Sequence, residues 1–245
     1  MRLRLTTRRG RLAAFFLLYL SEGIPFGFTA VTMTAYLRRH GVGLEAIGLF
    51  AASLYAPWGF KWAWAPLVDL LRSERFGASR AWIVFAQTMM ILTIGVVLFF
   101  DPATQLGLVT SLIIVHNVFA ATQDIAIDAL AVRVLPEGEM GTANGLMFSA
   151  AYIGQAIGGS GALFVAGKLG YDAAFLFMLG ALTVLLFAVS LPLLEPASAA
   201  PAPATASSAG ALGAAREALA RIRRFLADLY DGFFHSGRGP ALGVL

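Results

Sequence analysis

Asp124 and Asp128 lie four residues apart in Ala121-Thr122-Gln123-Asp124-Ile125-Ala126-Ile127-Asp128-Ala129, a stretch otherwise apolar enough to sit in lipid. On a helix this spacing leaves the two carboxylates about 40° apart in azimuth, so both face one way. Acids are too costly to leave against hydrocarbon, so such a face is expected to line a polar cavity, an ion relay or a substrate path. Hard oxygen ligands could also hold Mg²⁺ on a diphosphate, as an intramembrane prenyl transferase would require. That chemistry normally takes two acidic clusters. This chain has one such pair, with Asn117 too far upstream to complete the pattern.

Two further ionisable residues fall inside apolar runs. Glu22 opens Glu22-Gly23-Ile24-Pro25-Phe26-Gly27, where proline frees a carbonyl and glycine loosens the helix. Lys61 stands in Trp58-Gly59-Phe60-Lys61-Trp62-Ala63-Trp64-Ala65-Pro66, with Asp69 at the end of the run. At 1.5 Å per residue, Glu22 lies about 16 Å from Arg11, Lys61 about 12 Å from Asp69, and Asp124 about 14 Å from Arg133. In a core about 30 Å thick these three share one central layer, and Asp128 falls nearer one surface. The depth favours a buried Lys61–carboxylate pair, with Glu22 and Asp124 both candidates, over a lysine snorkelling from a tryptophan belt. Asn117 shares the azimuth of Asp124 and Asp128, giving that face a polar line. His116 falls with Gln123 about 100° away; it could titrate near neutrality, and the simpler expectation is a solvated or hydrogen-bonded ring. Glu22, Lys61, Asn117, Gln123, Asp124 and Asp128 are therefore the candidate substrate and proton pathway.

The elements that must position these residues follow from composition. The chain is 245 residues long, 58% hydrophobic and 13% charged, with mean hydropathy +0.76. A soluble domain carries about a quarter charged residues, so this is an integral membrane protein. Having no cysteine, it has no disulfide or thiolate metal site. Six apolar runs of spanning length occur, at roughly 12–37, 44–70, 80–100, 105–134, 139–167 and 172–194. The first lacks a small-residue cleavage site and reads as a retained span. Arg2, Arg4, Arg8, Arg9, Arg11, Arg72, Arg75, Arg80 and Arg133 flank one side, against Arg38, Arg39 and Lys168 on the other. That asymmetry predicts a cytoplasmic N-terminus, and fits anionic lipid headgroups rather than nucleic acid.

Span 5 carries Gly141, Gly145, Gly154, Gly158, Gly159 and Gly161, a close-packing signal. Span 6 has no interior charge and is expected to face lipid. Residues 1–195 thus form a transmembrane bundle. Residues 196–238 hold a Pro/Ala/Ser-rich linker and an amphipathic helix through Leu219, Ile222, Leu226, Leu229 and Phe233, expected on the inner membrane surface. Residues 239–245 turn apolar again, like the first turn of a seventh span.

The residues around Glu22, the run from Lys61 to Asp69, and Ala121 through Ala129 together resemble the AmpG-like muropeptide permeases of the major facilitator superfamily. The acetyl-CoA transporters are similar. The likeness covers spans 1 to 6 in order, with the span 4 motif its most specific element. It implies an all-α fold: one six-helix half of a major facilitator, built of 3+3 inverted repeats. It further implies an inner-membrane permease importing anhydro-muropeptides by alternating access, driven by protons and with no bound cofactor. Its substrate would be muropeptide-like or acyl-CoA-like. Asp69, Arg72, Arg75 and Arg80 would form the gate loop between spans 2 and 3. This chain departs from the superfamily there, with Ala65 at the usual glycine and Leu70 at the usual basic position. Span 5 lacks the Gly-Pro step of many antiporters, so nothing favours export. The second six-helix half is expected to be missing or supplied by another chain, and a non-transporting scaffold is the rival to a permease.

Overall fold

The computed structural model describes residues 5–70 and 78–195, together with Ala220 and Arg223; the side chains of Asp69, Leu70 and Ala78 are not described. Expectations for the linker, the amphipathic helix and residues 239–245 lie outside the described residues, as do Arg72 and Arg75. The first compact unit, Met1–Pro196, is the helical bundle.

Five helices among the described residues are long and apolar enough to cross a membrane: Arg8–Arg39 (span 1), Ser79–Val97 (span 3), Leu106–Val134 (span 4), Glu137–Leu169 (span 5) and Tyr171–Ser190 (span 6). Span 2 is not one of them. The single run expected at 44–70 breaks into Leu44–Ser53, Ala56–Phe60, a 3₁₀ turn at Lys61–Ala63, and Ala65–Leu70. Pro57 sits in the first turn of the second piece and Pro66 near the start of the last. A proline opens a helix readily but cannot extend one backwards, since it lacks the donor and crowds the preceding turn. The break leaves the Leu54 carbonyl without a helical partner, and the Asn117 amide of span 4 donates to it at 3.1 Å. Trp64 Nε1 donates to Thr122 Oγ1 at 3.1 Å, tying the far side of the break to the same helix. Non-helical backbone at membrane depth survives only where protein satisfies it in this way.

Span 1 stays continuous through Pro25 and relaxes into a π-helical turn at Phe28–Met33. Thr29 donates back to the Pro25 and Phe26 carbonyls, each at 3.0 Å. It is the central helix, with 67% of its apolar stretch buried, more than in the other four.

Span 1 packs chiefly on span 5 and span 3 on span 4; span 2 meets span 4, and span 6 meets spans 1 and 3. Span 6 also packs on span 5, and span 1 touches span 2. Exchanging spans 1–3 with spans 4–6 maps the 1–5 contact onto 4–2, the 3–4 contact onto 6–1 and the 3–6 contact onto itself, whereas the 5–6 and 1–2 contacts have no comparable counterpart among the described residues. The first three correspondences are those that a pair of inverted three-helix repeats gives.

The close contact between spans 1 and 5 is made by only some of the span 5 glycines. A Cβ at Gly154 would lie 2.7 Å from the Leu20 carbonyl, and one at Gly158 would collide with the Ile24 backbone. Gly141 and Gly145 face open space. The partners in span 1 are Gly23 and Gly27, against the Ala151 and Gln155 backbones. They therefore serve contact, and not the loosening suggested by their place beside Pro25. Thr32 closes the seam by donating to the Gly158 and Gly159 carbonyls at 3.1 and 2.9 Å.

Span 6 is not simply lipid-facing. Ala174, Phe175, Met178 and Leu182 are buried, while Leu176, Val184 and Phe187 are exposed. At the end of the bundle remote from the N-terminus, Asp101 accepts from the Ala103 N–H, Thr104 Oγ1 and Tyr36 Oη at 2.9, 3.0 and 2.8 Å. The Ala103 N–H, then the Tyr36 hydroxyl, hold its carboxyl below the ordinary aspartate range.

Because the seam is backbone against backbone, Gly158→Ala is expected to destabilise the bundle by about 1–3 kcal/mol, a typical cost of overpacking. Gly145→Ala, in open space, should be neutral. Thermal unfolding of the purified variants in detergent compares the two.

Candidate functional site

The break in span 2 takes Lys61 out of a regular helix and aims it at span 4. There its ammonium makes an ion pair with the Asp124 carboxylate. The Asp124 side chain is 7% exposed and that of Lys61 36%, so the acid lies behind the base. Lys61 Nζ also stands 5.6 Å from the centroid of the Trp58 ring, within cation–π range. Of the two carboxylates open to Lys61 by depth alone, Asp124 takes it.

Around this pair is a cavity of about 450 Å³. Span 1 contributes Tyr19, Glu22, Gly23 and Phe26; span 2 contributes Tyr55, Trp58 and Lys61; span 4 contributes Asp124 and Asp128; span 5 contributes Phe148, Ala151, Tyr152 and Gln155. Tyr19, Glu22 and Phe26 follow the three- and four-residue steps of one helix face. The rim is open, with Tyr55 59% and Tyr152 69% exposed. Tyr19 Oη donates to Asp128 Oδ1 at 2.6 Å. Asp124 and Asp128 thus share one cavity but take different partners, so they are not offered together to one metal ion. Asp128 is part of this chamber, although its inferred depth set it apart. Glu22 is buried, and among the described residues its Oε1 has no hydrogen-bond partner.

Asn117 and Gln123 do not line the cavity. Asn117 seals the span 2 break. Gln123 is fully buried and donates to Ser21 Oγ and Gln87 Oε1, each at 3.3 Å. Gln87 in turn accepts from Ser190 Oγ and donates to the Leu182 carbonyl at 3.1 Å. This polar knot joins spans 1, 3, 4 and 6. His116 is fully buried, not solvated, with Nδ1 3.2 Å from Thr93 Oγ1 and 3.1 Å from the Met90 carbonyl.

Of the gate-loop residues, Arg80 alone has a described side chain, and it reaches the end of span 6. Its guanidinium donates to the Leu191 carbonyl at 2.5 Å, and its backbone N–H to Glu195. Arg133 joins the same cluster, at 2.9 Å from Glu195 and 2.7 Å from Ser79 Oγ. Arg11 pairs with Glu139 through two hydrogen bonds of 3.0 and 2.7 Å, joining spans 1 and 5 near the N-terminal end.

Several site residues carried no signal that sequence reasoning used. Tyr19 precedes Glu22 by three residues, so helical spacing alone could have placed it on the same face. Tyr55, Phe148, Tyr152 and Gln155 depend on how spans 2 and 5 are rotated toward span 1, and no local pattern specifies that rotation.

The Major Facilitator Superfamily model matches residues 12–236. The chain is 30% identical to the anhydromuropeptide permease of Escherichia coli K12 over 192 residues, which cover 78% of this chain and 39% of that protein. It is 28% identical to an uncharacterized protein of Haemophilus influenzae, covering 71% of this chain and 42% of that protein. Putative transporter AmpG 1 of Rickettsia felis is 27% identical, over 60% of this chain and 34% of its own length. The chain spans about two fifths of the length of the first two of these relatives.

Removing Lys61 would leave the Asp124 charge buried without compensation. Lys61→Met is expected to destabilise the bundle toward the lower end of about 3–5 kcal/mol, the open rim moderating the loss. Lys61→Met/Asp124→Asn should recover part of it. A double-mutant cycle on thermal unfolding measures the coupling.

Proposed function

This chain belongs to the Major Facilitator Superfamily, and from that premise we propose that it forms the N-terminal six-helix half of a proton-coupled permease importing anhydro-muropeptides. The observation that carries the reading is the single chamber in which Glu22, Lys61, Asp124 and Asp128 meet among Tyr19, Tyr55, Trp58 and Tyr152. Carboxylates can take up and release protons as the cavity changes face. The aromatic rings and the Gln155 amide suit the apolar faces and amide groups of a sugar-peptide. The named relative that is an anhydromuropeptide permease supports this choice over an acyl-CoA-like solute.

In the proposed cycle the chamber forms one wall of the substrate path. A second six-helix half, on the same polypeptide or another chain, forms the other, and rocking between them exposes the site to each side in turn. The basic residues flanking spans 1 and 4 support a cytoplasmic N-terminus, in a bacterial inner membrane. The proton gradient would be the driving force, with no bound cofactor. Arg80 would tie the gate loop to the end of span 6, with Asp69, Arg72 and Arg75 completing that loop.

In cells lacking endogenous uptake, the intact carrier should accumulate labelled anhydro-muropeptide under an inward proton gradient. Asp124→Asn should abolish accumulation against the concentration gradient; full accumulation by that variant would remove Asp124 from the coupling machinery.

A further inference from the structure

Lys61 and Asp124 differ in how they meet the cavity. The lysine is over a third exposed, whereas the aspartate behind it is almost wholly buried. An ammonium has three donors on a flexible stem, and the Asp124 carboxylate engages it from the protein side. Its cavity side is reachable by a solute. The Trp58 ring flanks the ammonium at 5.6 Å.

The charges around the pair constrain what can bind there. The titratable groups lining the chamber are Tyr19 and Glu22 from span 1, Tyr55 and Lys61 from span 2, Asp124 and Asp128 from span 4, and Tyr152 from span 5. Three carboxylates stand against one ammonium, so a fully ionised wall is net negative and repels an anion. A solute carboxylate can settle on Lys61 only if negative charge is removed at the same time. The least costly removal is at Asp124, since drawing Lys61 toward the solute strips that buried carboxylate of its counter-charge.

We propose that Lys61 is an exchange receptor: a solute carboxylate displaces Asp124 from the ammonium, and Asp124 takes up one proton from the aqueous phase. The net charge of the chamber, solute included, is then the same before and after binding. Release reverses both steps, with the proton leaving Asp124 as it regains Lys61. This rests on the permease reading and adds to it the group that recognises the solute and the reason a proton must accompany it. It also gives Glu22 and Asp128 no part in the exchange.

The test uses the intact protein in lipid nanodiscs, titrated calorimetrically with N-acetylmuramic acid, which bears a carboxylate, and with N-acetylglucosamine, which does not. One proton taken up per anion bound weakens binding by up to tenfold for each unit rise in pH above the range where Asp124 protonates. The acidic sugar should show this slope between pH 5.5 and 7.5 and the neutral sugar should not. Asp124→Asn, which carries no charge to displace, should bind the acidic sugar at least tenfold more tightly than wild type at pH 7.5 and without a slope. Lys61→Met should lose the preference for the acidic sugar. Absence of that preference in the wild type, or a slope that persists in Asp124→Asn, overturns the exchange. Muropeptide uptake measured alongside separates the two readings. Uptake without acid preference sinks only the exchange, and acid preference without uptake sinks only the permease.

Discussion

The Lys61–Asp124 ion pair is the constraint to which the rest of the site answers. Neither charge is tolerable alone at mid-membrane depth, and the pair forms only because span 2 breaks beside it. The break in turn exposes backbone, which span 4 must satisfy. Asn117 does so at the Leu54 carbonyl, and Thr122 anchors the Trp64 indole beyond the break; both lie on the N-terminal side of Asp124 along the same helix. One buried helix therefore repairs the irregular backbone and supplies the counter-charge. This explains why Ala120 through Ile127 are buried without interruption.

The frame around that site is held by two different kinds of contact. Spans 1 and 5 meet through glycines with no side chain between the backbones. In lipid, where apolar surface gains little by leaving the solvent, such close packing is a principal source of helix association. Spans 1, 3, 4 and 6 are joined instead by hydrogen bonds through Ser21, Gln87, Gln123 and Ser190. Ser21 and Gln123 are the immediate neighbours of Glu22 and Asp124. The knot thus sits behind the cavity wall and fixes the two helices that carry its acids. Salt bridges at Arg11–Glu139 and Arg133–Glu195 add further ties between spans 1 and 5 and between span 4 and the end of span 6.

Spacing arguments read from sequence succeeded where a property is local to one helix and missed where it depends on two. Asp124 and Asp128 share a face, as four-residue spacing demands, and both reach one chamber. Asn117 shares that azimuth too, yet serves the backbone of span 2, because azimuth says which way a residue points and not what stands there. The glycines of span 5 were legible as packing residues, but Gly154, Gly158 and, less tightly, Gly159 meet span 1 while Gly141 and Gly145 do not. Gly23 and Gly27, their counterparts, looked like flexibility beside Pro25. His116, expected to be solvated or hydrogen-bonded, is the second, sealed against span 3.

The sequence by itself determined the solvent, the helical class and the family likeness. A chain that is 58% hydrophobic, with ionisable residues confined to a few positions in its apolar runs, has no soluble alternative. The cost of those ions marks them as functional before any fold is known. Only the tertiary structure decided which carboxylate holds Lys61. That choice turns on the interruption of span 2 and on its rotation against span 4, both of which arise from contacts far apart in sequence. It also decided that Tyr19 belongs to Asp128, leaving the buried Glu22 Oε1 without a protein partner among the described residues.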